Sequence, residues 1–114
     1  MFLFNRSSSV DFKQITVDEY RETFSKKGSH HLVDVREPSE FKSGHVPGAV
    51  NIPLGEVSAR VSEIPTDKPV VLVCASGNRS GMAARALAKA GYENVYNLQG
   101  GTISWMRKGL KVAK

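Results

Sequence analysis

The sequence predicts an α/β protein, a parallel sheet with helices on both faces. Three observations carry that prediction. Short apolar runs rich in β-branched residues alternate along the chain with segments of helical character. The strongest run, Val70-Val71-Leu72-Val73, is apolar at every position, as expected of a central strand covered on both faces. Most of the ten glycines and five prolines fall at the ends of these segments, where they punctuate the chain.

The elements follow in order. Residues 1–11, with the run Asn5-Arg6-Ser7-Ser8-Ser9, are polar and unpatterned and read as a flexible leader to a domain over 12–114. Lys13 to Thr16 reads as a short strand. Thr16 to Asp18 then offer caps for a helix reaching about Lys27, stopped by Gly28. His31 to Val35 is a buried strand. Pro38 opens a short helix over 38–43, since proline fits a first turn, and Gly44 ends it. Ala49 to Ile52 forms a strand closed by Pro53, and a helix over about 55–62 precedes Pro65. After the central strand comes a Gly/Asn/Ser loop. Ser80 then caps an alanine-rich helix running to Ala90 and ended by Gly91. Asn94 to Leu98 is the last strand, and Gly100-Gly101 turns into a final helix over 102–108 containing Trp105.

Bulk composition narrows the function. At 114 residues the chain is one domain, long enough for a core without disulfide or metal. Its net charge of +5 is spread along the sequence, apart from Lys26-Lys27 and a tail with Lys108, Lys111 and Lys114. Nucleic-acid binding calls for a basic stripe on one face, so small anions are the better-matched partners. No apolar run approaches the ~20 residues of a membrane span, and Met1 to Phe4 is too short for a signal sequence. A cytoplasmic monomer is the expectation. One cysteine excludes an internal disulfide, and no Cys/His cluster has zinc spacing, so no metal is expected.

That cysteine carries the chemistry. Cys74 ends the central strand, and Ala75-Ser76-Gly77-Asn78-Arg79 leads into the next helix. Open α/β sheets place ligands beyond the carboxyl ends of their strands. Backbone N–H groups of a tight loop and of a helix start would face the sulfur, and Arg79 adds a fixed positive charge. Each favours thiolate over thiol, whose pKa is ~8.5 when unperturbed. A buried cysteine is more often plain core. A glycine-asparagine loop with Arg79 and Ser80 behind it favours the reactive reading, with Cys74 as nucleophile and residues 75–79 as an anion cradle.

Cys74-Ala75-Ser76-Gly77-Asn78-Arg79-Ser80, with Ala83, Ala84, Leu87, Gly91-Tyr92, Val95, Leu98, Gly100-Gly101 and Trp105, resembles the second half of a rhodanese domain. Leu32-Val33-Asp34-Val35-Arg36-Glu37, Glu40-Phe41 and the run from Gly44 to Pro53 are similar to that family's other conserved block. The likeness spans about residues 12 to 110. It implies the rhodanese-like α/β fold, a five-stranded parallel sheet with helices on both faces. It also implies a sulfurtransferase that needs no cofactor: a sulfane sulfur passes from thiosulfate or a persulfide donor to Cys74, then to a thiol, cyanide or protein acceptor. A persulfide carrier that turns thiosulfate over poorly is the second reading. Phosphatases and arsenate reductases on this fold have a loop one residue longer than the four residues between Cys74 and Arg79. Many thiosulfate-using relatives carry a basic residue where this chain has Ala75.

Four further expectations concern supporting residues. Asp34 orients the loop through Arg79, or merely caps its strand, while Arg36 pairs with Glu40. His45 serves the framework by hydrogen bonding. His30 and His31 have no carboxylate partner at a telling spacing. Trp105 and Tyr92 fall at apolar positions and read as core.

Overall fold

The computed structural model describes residues 12–114. The predicted leader, 1–11, lies outside that range. Five strands form one wholly parallel sheet: β1 (Lys13–Ile15), β2 (His31–Asp34), β3 (Val50–Asn51), β4 (Val70–Val73) and β5 (Val95–Leu98). Their spatial order is β1-β5-β4-β2-β3, so β4 sits at the centre. The register places Val33 beside Leu72 and Leu72 beside Asn97.

Alternation of side chains splits the core in two. Val70, Leu72 and Cys74 join Ala83, Ala84 and Leu87 of α3 (Asn78–Lys89), with Val57 and Ile64, on one face. Val71 and Val73 join Val17 and Tyr20 of α1 (Val17–Thr23) and Trp105 of α4 (Gly101–Arg107) on the other. Helices therefore cover both faces, as predicted. The short α2 (Pro38–Ser43) buries none of its residues and lies outside this sandwich. Among the described residues, no helix is long and apolar enough to cross a membrane.

Several boundaries differ from the sequence reading, each for a local reason. Thr16 caps α1 with a full capping box, but the helix ends at Thr23 rather than near Lys27. Phe24 leaves the helical path to pack its ring against Tyr20, His30 and Tyr96, and Gly28 serves only in the turn beyond. The strand expected over 49–52 is paired only at Val50–Asn51. The helix expected over 55–62 is two 3-10 turns, Leu54–Glu56 and Val61–Glu63. Gly55 and two valines make this a weak helix former between Pro53 and Pro65, and the local backbone bonds it makes are mostly i→i−3. The C-terminal segment folds back, with His45 and Ala113 exchanging backbone hydrogen bonds and Trp105 Nε1 donating to the Lys111 carbonyl.

Candidate active site

The site forms where the central strand ends. Cys74 follows β4 directly and is 1% exposed, so its thiol lies beneath the loop rather than on it. Gly77 turns the chain with φ 110°, a conformation that side-chain-bearing residues rarely adopt, and takes the N-cap position of α3. The helix therefore starts at Asn78. Ser80, expected to be the cap, is instead a buried residue of the first turn, and Arg79 belongs to the helix rather than the loop.

That shift gives Ser80 a different task. Its hydroxyl faces Cys74 Sγ at 3.3 Å, and the Gly77 N–H donates to the same sulfur at 3.1 Å. Burial pushes the Cys74 thiol up. The Ser80 hydroxyl and the backbone N–H groups of Ser80, Gly77 and Ser76 pull it down and prevail, leaving it below the ordinary thiol value. The sulfur sits at the edge of the apolar core with donors converging on it.

The opposite side of the loop explains why those N–H groups are free to point inward. The Thr102 N–H and hydroxyl both donate to the Cys74 carbonyl, at 2.9 and 3.1 Å. The Ile103 N–H donates to the Ala75 carbonyl at 3.0 Å. The start of α4 thus holds the loop's carbonyls away from the sulfur. Such close contact needs Gly101, where a Cβ would stand 2.4 Å from the Cys74 carbonyl oxygen. The Gly100-Gly101 pair was the signal for this contact in the sequence.

Two charge pairings are exchanged relative to expectation. Arg36 pairs with Asp34, not Glu40: its Nε reaches both carboxylate oxygens at 3.1 Å, and it also donates to the Gly44 carbonyl at 2.8 Å. Both residues are buried, so this pair ties β2 to the end of α2 and has a structural role away from the sulfur. Arg79 pairs with Glu40 through two bonds of 2.8 and 3.0 Å. It does not contact Asp34, because α2 brings Glu40 to the guanidinium first. The positive charge expected beside Cys74 is therefore shared with a carboxylate.

Sequence reasoning missed Asn97 on β5. This residue is 3% exposed, accepts the Ser80 hydroxyl at its Oδ1, and donates to the Gly77 carbonyl and to Gln14 on β1. It thus touches both residues whose donors face Sγ. Nothing in the run Val95-Tyr96-Asn97-Leu98 announces that role beyond a polar residue inside a buried strand. A polar groove of about 300 Å³ opens on this side of the loop, lined by Gln14, Ser76, Gly77, Asn78, Asn97, Gln99 and Gly100.

The histidines are all held. His45 accepts no role at the sulfur: its Nδ1 bonds the Phe41 carbonyl and its ring stacks on Phe41, as the framework reading expected. His31 does meet a carboxylate, Asp67, at 2.9 Å, and His30 meets the Tyr20 hydroxyl at 2.7 Å. Both partners come from distant segments that spacing cannot reveal. Trp105 is core, whereas Tyr92 is half-buried with its hydroxyl donating to carbonyls of the 3-10 segment.

Comparison with known proteins decides the family. The rhodanese-like domain model matches residues 16–108, most of the chain. The chain belongs to the rhodanese-like domain family. The uncharacterized protein YqhL of Bacillus subtilis is 48% identical over 93 residues, covering 82% of this chain and 71% of that one. A protein named sulfurtransferase from Allochromatium vinosum is 46% identical over 81 residues, covering 71% and 76%. Among solved structures, a rhodanese-related protein from Thermoplasma volcanium superposes with a TM-score of 0.81 at 29% identity, covering 90% of this chain and 98% of its own. The rhodanese-like fold is thus shared over most of the chain, in a family that includes a protein named sulfurtransferase.

Proposed function

We propose that this rhodanese-like domain transfers sulfane sulfur through a persulfide on Cys74, with Ala75 to Arg79 and Ser80 forming the cradle. The observation that carries the reading is the set of donors converging on Sγ from Ser80 and Gly77, with a thiol held below its ordinary pKa. A thiolate is the nucleophile that sulfur displacement needs, and here no separate base has to make it.

The chemistry is two displacements. With thiosulfate, Sγ attacks the outer sulfur, an Sγ–S bond forms, and the S–S bond of the donor breaks. Sulfite leaves with the electron pair, and the negative charge stays on the outer sulfur of the Cys74 persulfide. That charge lies near the loop amides that faced the thiolate. A thiol or cyanide then attacks the outer sulfur and Sγ departs as thiolate again. No redox partner or cofactor enters the balance. A persulfide donor reacts in the same way, releasing its own thiolate.

Intact mass after incubation with thiosulfate or a small persulfide tests the proposal. A gain of ~32 Da on Cys74, absent from Cys74→Ser together with thiocyanate formation from cyanide, is the expected result. Activity surviving in Cys74→Ser, or Cys74-dependent hydrolysis of para-nitrophenyl phosphate without any persulfide, overturns it.

A further inference from the structure

The single cation at this site is engaged before any donor arrives. Arg79 is the only lysine or arginine in the segment from Cys74 to Ser80, and both of its terminal nitrogens are turned to Glu40 at 2.8 and 3.0 Å. Glu40 is itself anchored, because its Oε1 also accepts the Glu37 N–H at 2.9 Å in the capping box of α2. The carboxylate cannot swing away without uncapping that helix. Its pKa is held at about 2, first by the Arg79 hydrogen bond and then by the Glu37 amide. The pair therefore stays ionised across the whole neutral range. Ala75 brings no charge of its own, and the buried Asp34 carboxylate is occupied by Arg36.

This arrangement matters differently for two kinds of donor. Thiosulfate is a dianion that must approach a thiolate, so its encounter depends on local positive charge. A persulfide R–S–SH has no sulfonate group and carries at most one negative charge, on its outer sulfur. In the protonated form Sγ attacks that sulfur, the S–S bond of the donor breaks, the thiolate R–S⁻ leaves, and the proton travels with the transferred sulfur. No dianionic donor has to be held.

We propose that Glu40 is a specificity-determining residue, which by neutralising Arg79 tunes the site towards persulfide sulfur borne on another thiol and away from small oxyanion donors. This rests on the sulfurtransferase reading and extends it to the class of donor.

Glu40→Gln tests the idea with little change of shape, and the persulfide of 2-mercaptoethanol serves as a donor with an uncharged organic part. The expected result is a KM for thiosulfate about five- to tenfold lower with kcat little changed, and a kcat/KM for the persulfide within about twofold of the unmodified protein. The gain must vanish in Glu40→Gln/Arg79→Gln, since it flows through the released guanidinium. An unchanged thiosulfate KM in Glu40→Gln, an equal change for both donors, or a gain that survives in the double variant overturns the assignment of Glu40. If neither donor forms a persulfide on the unmodified protein, the sulfurtransferase reading itself fails, and the donor preference falls with it. Persulfide formation combined with an unaltered donor preference rejects Glu40 alone.

Discussion

Ser80 has one hydroxyl proton and two acceptors, Cys74 Sγ at 3.3 Å and the Asn97 amide oxygen. The amide orientation of Asn97 is set by the Gly77 carbonyl, which can only accept, so the Asn97 oxygen must face Ser80. Replacing Ser80 by alanine thus has two effects. The sulfur loses a donor, and its titration midpoint is expected to rise, slowing alkylation near neutral pH. The buried Asn97 oxygen also loses its partner, at a cost of ~1–3 kcal/mol, visible as a lower denaturant midpoint. A Ser80→Ala protein with an unshifted thiol midpoint would mean that the hydroxyl serves only Asn97. At this scale the sequence was partly legible. Cysteine, glycine and arginine around a strand end announce an anionic sulfur, because each has a local electrostatic or conformational reason to be there. Asn97 announces nothing, since its partners are 17 and more positions away and only the fold selects them.

At the scale of elements, the loop is built by three pieces at once: the end of β4, the first turn of α3 and the first turn of α4. Gly101 is where β4 and α4 meet. Its φ of 58° already disfavours a side chain, and a Cβ would collide with the carbonyls of Cys74 and Ala75. Gly109 offers the comparison, with φ 75° but open space around it. Gly109→Ala is expected to cost ~1 kcal/mol from the backbone alone. Gly101→Ala is expected to cost at least ~2 kcal/mol more and to depress Cys74 reactivity, because the loop must shift. Equal losses in urea denaturation would remove the proposed role of that contact. The strands were legible in the sequence because apolar β-branched runs have few alternatives. The segment 54–63 was not, since its apolar spacing suits a helix while Gly55 and the flanking prolines favour tighter turns. Pairing of Arg79 with Glu40, and of Arg36 with Asp34, was also beyond reach. Two cations and two carboxylates allow both arrangements, and only the placement of α2 chooses.

Across the whole molecule, a charge of +5 surrounds a site whose own cation is paired. Long-range attraction and local neutrality then act on different parts of the reaction. The kcat/KM for thiosulfate is expected to fall about two- to fivefold between low salt and ~0.5 M salt, as the Debye length contracts, while that for a persulfide, with at most one charge, falls less. Identical salt responses for the two donors would count against steering by the field. The end of β4 and the first turns of α3 and α4 converge on Cys74, and the charge of its sulfur is the claim on which the function depends. The rate of iodoacetamide alkylation of Cys74 against pH measures that charge most directly. The account predicts a midpoint below the ordinary thiol value of ~8.5. A midpoint at or above that value would contradict it.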